Sequence, residues 1–332
     1  MHDDNSMGIS LRLFIQFVIT GAVLFTPFYS SASVVKDQSQ FTTNYSKIDQ
    51  SFMRALRPMT QPINVQKIID GVSFLSTDNQ IYRLSGIDIP IGDDETGRQA
   101  QAALQRLIEG KTIKAYITKK TDKGRTNRMG QNLIHAVTKD NVWVQAYLLE
   151  NGLARVMTTP SNPELAKDML NRETLARNAK KQLWGNDNSK LISSDEASGY
   201  LNSFQIIEGV ITSSATIRNQ LYLNFGMKGQ NDWRKDFTIG VSPALRKSLA
   251  RQKINLMEMQ GAHVRVRGWV ESYNGPYINL THAEQLEILK AGRALASGAI
   301  ERPRVQTPKI EKPEMPKIMP QAVTREEITP NE

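Results

Sequence analysis

The stretch Tyr82-Arg83-Leu84-Ser85-Gly86-Ile87-Asp88-Ile89-Pro90 decides the fold of the first half of the chain. Apolar and polar residues alternate along it, and Gly86 and Pro90 interrupt the alternation, as in short strands that end in turns. Two similar short runs precede it, bounded by the turn residues Asp70-Gly71 and Thr77-Asp78-Asn79. Together these runs predict a meander of three short strands.

After this meander the apolar spacing changes to that of a helix. The residues that recur at intervals of three and four are Ala100, Ala103, Leu104 and Leu107. Gly110 follows where a helix C-cap is expected. The later elements predicted by the same patterns are strands over 111–118 and 132–137 and helices over 142–151 and 163–183. The last helix is amphipathic, with Leu165, Met169, Leu170 and Leu175 among its apolar residues. The sequence therefore predicts a small barrel with helices over residues 61–186.

A second strand-rich block follows a polar linker at 187–202. The predicted strands are 204–212, 220–225, 236–241, 264–272 and 277–280, with one helix from Ser242-Pro243 to about Gln252. Five strands with a helix between the third and fourth favour a second small OB-like barrel at 203–290. The fold class is thus mainly β with α (α+β). Residues 291–332 are rich in Pro and charge and are expected to be a disordered tail.

The N-terminal 32 residues have the pattern of a targeting segment. Residues 13–25 are almost all apolar, and Ser30-Ser31-Ala32 matches a small-x-small cleavage site. The run is short for a membrane-spanning helix. It predicts a cleaved export signal or an uncleaved anchor, with a start at Met7 fitting a signal better than Met1. We expect a protein exported to the periplasm or cell envelope of a bacterium, with a linker at 33–60.

Composition limits the possible chemistry. The chain has 332 residues and no cysteine, which excludes disulfides, cysteine nucleophiles and thiolate metal sites. Lys and Arg total 42 against 33 Asp and Glu, for a net charge of +9. This excess fits a polyanionic partner such as nucleic acid, and it also fits an ordinary basic protein.

The first block resembles the staphylococcal nuclease (thermonuclease) family along about 120 residues. The resemblance is carried by Ile69-Asp70-Gly71, by the stretch 82–90, by Gly152-Leu153-Ala154-Arg155-Val156 and by the helix end Ala176 to Gly185, in that order. It implies a barrel descended from calcium-assisted phosphodiesterases. In that family two aspartates hold the metal, a glutamate activates water, and two arginines neutralise the phosphate.

Most of this set is absent here. By the resemblance, Asp88 keeps one metal position and Arg83 keeps one arginine position. Val72 replaces the second metal aspartate, Ile91 replaces the glutamate, and Gln131 replaces the second arginine. Neither Val nor Ile can bind calcium or accept a proton, and loss of a general base alone costs about 10²–10⁴ in rate. The pattern predicts a degenerate site and no cofactor, with Ca²⁺ required only if the site is active.

Several alternatives stay open at this stage. The acids Asp93, Asp94 and Glu95 follow Ile91, and any of them is a possible substitute ligand or base, or an ordinary loop charge. Arg125 or Arg128 could replace the lost arginine. Arg83 and Asp88 could be a structural pair or a residual phosphate contact.

Basic residues are concentrated in one segment after the predicted helix. They are Lys111, Lys114, Lys119, Lys120, Lys123, Arg125 and Arg128, opposed only by Asp122. This is the sequence's best candidate for contact with a phosphate backbone. In the second block, aromatic residues near basic ones either stack on bases or belong to the barrel core. They are Tyr222, Trp233, Trp269 and Tyr273, near Arg234, Arg265 and Arg267.

Three functions are consistent with these features. The first is an exported, catalytically silent nuclease relative that acts as a binding or scaffold protein and contacts nucleic acid through a basic face. The second is an active metal-dependent endonuclease with a rearranged site. The third is a protein-interaction subunit of an envelope complex.

Overall fold

The computed structural model describes residue 48 and residues 50–90, 94–185, 191–226 and 235–292. These residues form two β-sheet domains, each with its own apolar core. The predicted export segment and all but the first two residues of the predicted C-terminal tail lie outside the described residues. Within the described ranges, no helix is both long enough and apolar enough to cross a bilayer.

The first domain is a closed five-stranded barrel with three helices, as predicted. Its strands are β1 (Arg57–Pro58), β2 (Ile63–Ile68), β3 (Ser73–Ser76), β4 (Ile81–Leu84), β5 (Ile87–Asp88), β6 (Thr112–Ile117), β7 (Asn132–Val137) and β8 (Arg155–Val156). Its helices are α1 (Asp94–Ile108), α2 (Val144–Glu150) and α3 (Ala166–Asn178). The strand order β6-β2-β3-β4-β7 returns to β6, because β6 pairs with both β2 and β7. The β4–β7 pair is parallel, and the other pairs of the barrel are antiparallel.

The apolar periodicity of the sequence fills this barrel. In β2 the buried residues alternate with exposed ones, and in α1 the residues Ala100, Ala103 and Leu104 are fully buried on one face. Gly71 allows the turn before β3 to approach α1, since a Cβ there would lie 2.7 Å from the Cβ of Ala100. The helix is therefore held against the meander that precedes it.

The second domain has the same arrangement of strands. Its elements are β9 (Ile192–Ser193), β10 (Ser203–Val210), β11 (Ser213–Ile217), β12 (Gln220–Asn224), β13 (Thr238–Val241), α4 (Pro243–Arg251), β14 (His263–Ser272), β15 (Pro276–Leu280) and β16 (Leu286–Lys290). The order is β11-β12-β13-β15-β14-β10, with β13 and β15 parallel. Because β10 and β11 follow one another along the chain, the sheet curls so that its two ends meet in one bent segment. We call this domain the second barrel.

The structure adds elements that periodicity did not predict. The predicted linker 33–60 includes a 3-10 helix at Gln50–Ala55 and strand β1, and Met53 is buried against the first core. The predicted linker 187–202 includes β9 and a 3-10 helix at Ser194–Tyr200 that begins with a capping box. Such short elements contain too few apolar residues to show a period, so tertiary contacts decide them.

Some predicted details are wrong. Leu175, placed among the apolar residues of the last predicted helix, is 62% exposed, whereas Met169 on the same helix is fully buried. The same helix ends at Asn178, and a 3-10 helix covers Gln182–Gly185. Strands β11 and β16 were not predicted, because every residue of β11 is intermediate or exposed and β16 is half exposed. Such edge strands lack the alternation that marks a half-buried strand.

Candidate functional site

Arg83, Asp88 and Arg155 meet at one end of the first barrel. One guanidinium nitrogen of Arg83 lies 3.0 Å from Oδ1 of Asp88, and one of Arg155 lies 3.6 Å from Oδ2. Arg83 also donates to the hydroxyl of the buried Ser73 over 3.4 Å. Both oxygens of the single carboxylate are thus paired with arginines.

The local fold explains why these three side chains converge. Arg83 lies on β4 opposite Ser73 of β3, and Asp88 on β5 is paired with Arg155 on β8. The chain turns between β4 and β5 at Gly86, whose φ is +79°, and a Cβ at this position would lie 2.5 Å from the Cε of Met169. A residue with a Cβ would be strained there, so the glycine sets the position of Asp88.

Val72 lies in the turn where the resemblance would place a metal-binding aspartate. Its side chain is only 4% exposed and belongs to the core of the barrel. Its N–H donates to Oδ1 of Asp70 over 2.8 Å, and its carbonyl accepts from the N–H of Leu84, also over 2.8 Å. Asp70 is therefore a turn residue, and position 72 contributes an apolar contact.

Gln131 closes a hairpin that extends β7. The side-chain amide of Asn127 donates to Oε1 of Gln131, and its own Oδ1 accepts from the N–H groups of Met129 and Gln131. Arg128 and Met129 at the tip of this hairpin are exposed. Gln131 thus has a hydrogen-bonding role within the hairpin.

The possible substitute acids are only partly described. Ile91 and Asp93 lie outside the described residues, as does the side chain of Asp94. Glu95 is exposed on the first turn of α1 and pairs with Arg98 at 2.8 Å and with Gln99 at 2.7 Å. These are partners within its own helix.

The described side chains do not fit a calcium ion. Calcium takes six to eight oxygen ligands, mostly carboxylates, carbonyls and water. Asp88 is the only carboxylate at this end of the described barrel that pairs with Arg83 or Arg155, and both of its oxygens are occupied by them. Nowhere in the described ranges do three or more acidic or histidine side chains form a group that could hold a metal.

The basic residues predicted for phosphate contact are distributed over several surfaces. Lys111 donates to the carbonyls of Arg106 and Leu107 at the end of α1. Lys119 donates to the carbonyl of Arg54, and Lys120 to that of Pro160.

The other four lie on β6 and on the loop and hairpin that follow it. Lys114, Lys123 and Arg128 are exposed. Arg125 is half-buried, and its Nε and one Nη have no hydrogen-bond partner within the described part of the chain. The segment therefore presents some of its charges to solvent and uses others to hold neighbouring loops.

The family model described as "Staphylococcal nuclease homologue" matches residues 82–186. The first domain, which this match covers from β4 onward, is a staphylococcal nuclease homologue domain. A protein of Oryza sativa subsp. japonica described as a probable staphylococcal-like nuclease is 33% identical over 142 residues. The match covers 40% of this chain and 40% of the relative, so the chain spans about two fifths of that protein's length.

The nuclease-homologue domain is joined to the second barrel by a buried network of charges. Glu173 of α3 is fully buried and accepts two hydrogen bonds of 3.1 Å from Arg267 of β14, which is 1% exposed. Glu173 also accepts from Arg177 and from the N–H of Val156. Arg267 donates further to the carbonyl of Val156 and to Glu287. Neither charge lacks a partner, which is the condition under which buried ions are tolerated.

The network shifts the acid-base properties of its members. Burial alone would raise the pKa of Glu173, but Arg267, the Val156 N–H and Arg177 together lower it below its usual value. Burial would lower the pKa of Arg267, and Glu173 and Glu287 instead raise it. The pair therefore stays ionised inside the interface.

The second barrel also touches the Asp88 cluster. The carbonyl of Phe204 on β10 accepts from Arg155 over 3.1 Å, and the Arg155 guanidinium lies 4.6 Å from the centre of the Phe204 ring. Burial lowers the pKa of Arg155, and Asp88 opposes that shift. A further contact is made by His282, whose Nε2 lies 2.8 Å from the hydroxyl of Thr158 in the first domain.

These residues were not predicted as part of the site. Arg155 was noted only as part of a family-like segment. Glu173 had a signal that was missed, since it lies in line with the buried Ala166, Met169 and Ala176 of α3. A carboxylate within an apolar stripe predicts a buried cationic partner.

The structure also sorts the aromatic and basic residues of the second barrel. Arg265 pairs with Glu208 and Glu287, and Arg267 with Glu173, so neither is a free cation. Trp233 and Arg234 lie outside the described residues. Trp269 and Tyr273 are exposed, and the core of the second barrel consists of other residues.

Proposed function

We propose that this chain is a non-cleaving nuclease homologue that binds nucleic acid. The observation that carries the proposal is the Asp88 carboxylate, held between Arg83 and Arg155. A metal ion would have to displace two cations that are already in place. The side chain at position 72, buried in the core, offers no oxygen to compensate.

Nucleic acid is the proposed partner because the first domain has the fold of a nuclease homologue and the chain is basic. The chain carries a net charge of +9, and Lys114, Lys123 and Arg128 are exposed on one strand and the loop and hairpin that follow it. Exposed cations bind a phosphate backbone by releasing its counterions, whatever the base sequence. A protein that has lost cleavage can keep this mode of binding, because it needs no metal.

Cleavage is tested with the full chain, single- and double-stranded DNA and RNA, and calcium. We expect no cleavage above the level seen with chelator. Cleavage that requires calcium and disappears in Arg83→Ala would overturn the non-cleaving proposal and favour the rearranged active site. The rice relative's description as a probable nuclease is the observation in favour of that second function.

Binding is tested by measuring affinity for labelled DNA against salt concentration, in chelator. We expect the logarithm of affinity to fall linearly with the logarithm of salt concentration. Replacing Lys114, Lys123 and Arg128 with Gln should reduce that slope by roughly 2 units on a single strand. The matched control replaces the equally exposed Lys67, Lys139 and Lys167 and should leave the slope unchanged. No binding at low salt would overturn the nucleic-acid proposal and leave a protein partner in an envelope complex.

We also propose export to a bacterial envelope, on the basis of the apolar run at 13–25. The mature N-terminus of the protein purified from cells tests this. Cleavage after the small residues 30–32 supports a signal peptide, an intact N-terminus in the membrane fraction supports an anchor, and an intact soluble protein contradicts both.

A further inference from the structure

Three tyrosines lie together on the outside of the second barrel. Tyr222 is on β12, Tyr277 is on β15, and Tyr273 is in the turn between β14 and β15. The rings of Tyr273 and Tyr277 are 5.3 Å apart, and burial together with the neighbouring Tyr273 raises the pKa of Tyr222. We call this group the tyrosine face.

The tyrosine face is not needed to fill the core. The core residues of the same strands are Leu221, Leu223, Ile239, Val241, Ile278 and Leu280. Tyr222 and Tyr277 alternate with them along β12 and β15 and therefore point away from the core. Tyr273 is 55% exposed, so a large aromatic ring is presented to solvent.

A glycine on the neighbouring strand β13 leaves room for the tyrosine face. Gly240 of β13 is paired with Tyr222, and a Cβ at this glycine would lie 1.7 Å from the hydroxyl of Tyr277. Tyr277 therefore lies across bare backbone and is only 8% exposed. Tyr277 is thus held in place before any ligand arrives, and its ring packs beside that of Tyr273. Side chains that are already ordered lose less entropy on binding.

A cation lies at the edge of the tyrosine face. Arg218 is exposed at the tip of the β11–β12 hairpin, with a φ of +49°, and its charge acts on Tyr222. It takes no part in the interdomain network around Arg267. Rings that offer flat surfaces beside a guanidinium match a ligand made of flat bases and phosphates.

We propose that the tyrosine face binds single-stranded nucleic acid, with bases stacked on Tyr273 and Tyr222 and a phosphate near Arg218. The inference rests on the proposed function and specifies it as single-strand binding by the second barrel. A duplex hides the faces of its bases, so stacking on tyrosines selects an unpaired strand.

Fluorescence anisotropy of a labelled oligothymidine of about 12 nucleotides, with the full chain in chelator, tests the proposal. Tyr273→Ala should weaken binding roughly 5- to 150-fold, because one stacked base is lost. Tyr273→Phe should stay within about threefold of the wild type, since the ring remains. Arg218→Gln should weaken binding and reduce the salt slope by about 0.7.

The matched control is Trp269→Ala. Trp269 is 49% exposed on β14 of the same barrel, where it is paired with Phe204, and it is not one of the three rings of the tyrosine face. This variant should change the affinity for the oligothymidine by less than about twofold, which is smaller than the loss expected when one stacked base is removed. Thermal unfolding of each variant checks that the fold is kept.

Three results would overturn the proposal. The first is equal affinity of Tyr273→Ala and the wild type while the basic-residue variant of the first barrel still loses binding, which leaves the proposed function standing. The second is no binding of any nucleic acid, in which case the proposed function fails as well. The third is displacement of the labelled oligothymidine by a neutral oligosaccharide, which would assign the tyrosine face to sugar binding.

Discussion

In both barrels a helix follows the third strand, the third and fifth strands are parallel, and the fourth strand pairs with the first. In the first barrel, the charged residues of the candidate site pair with one another: Arg83 and Arg155 both contact Asp88. The second barrel presents one exposed ring, that of Tyr273, to solvent on the tyrosine face. One strand order therefore supports either a closed ion cluster or an open binding surface, and the side chains at a few positions decide which.

The largest effect on stability is expected from substitutions at the interface between the two barrels. Arg267→Met leaves the buried Glu173 with fewer cationic partners and should cost about 3–5 kcal/mol of stability. Urea unfolding should then show two transitions, one for each barrel, where the wild type shows one.

The double variant Glu173→Met with Arg267→Met provides the control. Replacing both charges by apolar side chains of similar size should recover much of the loss, because no buried charge is left unpaired. A single variant as stable as the wild type would show that the network does not join the barrels.

Acid should weaken the same interface through His282. Burial, with a contribution from Lys120, lowers its pKa to about 4. The unfolded chain, with a histidine pKa near 6.5, binds more protons between these two values, so stability falls as the pH drops from about 6.5 to about 4. The expected loss is up to about 3 kcal/mol, and stability should not change through this group above pH 6.5.

Urea unfolding at several pH values between 7.5 and 4.5 measures this effect. His282→Gln should be less stable at neutral pH and less sensitive to acid. Some sensitivity should remain, because burial also lowers the pKa of His135 in the first barrel, to about 3. An unchanged pH dependence in His282→Gln would contradict the assignment.

Restoring the family aspartate should not restore a metal site. Val72→Asp places a carboxylate in a position that is 4% exposed, and it should lower stability by at least about 2 kcal/mol. The comparison is Val72→Ala, which removes apolar contacts without adding charge. If Val72→Asp is as stable as the wild type and calcium raises its melting temperature, the site is closer to activity than we propose.

The smallest effect is expected at Glu95. Its pairing with Arg98 is exposed on a helix, and such pairs contribute about 0–1 kcal/mol. Glu95→Gln should therefore change the melting temperature little and should leave any residual cleavage unchanged. Loss of a calcium-dependent cleavage in this variant would identify Glu95 as a substitute base.

Much of the fold could be predicted from the sequence because its signals are local. Strands β3 and β4 lie on either side of the predicted turn Thr77-Asp78-Asn79, and α4 begins at the predicted Ser242-Pro243. In each case a turn residue or an apolar period lies within a few positions of the element. Strand β11 has no such signal, and its existence depends on pairing with β12.

Only part of the candidate site could be predicted from such local signals. By itself the sequence determined which chemical groups are present: an aspartate and an arginine near Gly86, and a valine where a carboxylate would be needed. Only the tertiary structure decided their partners, bringing Arg155 to Asp88, Arg267 to Glu173 and Tyr273 to Tyr277. The physical reason is that turn and strand preferences act between neighbours in the chain, whereas charges and rings interact with whatever the fold places within a few ångströms.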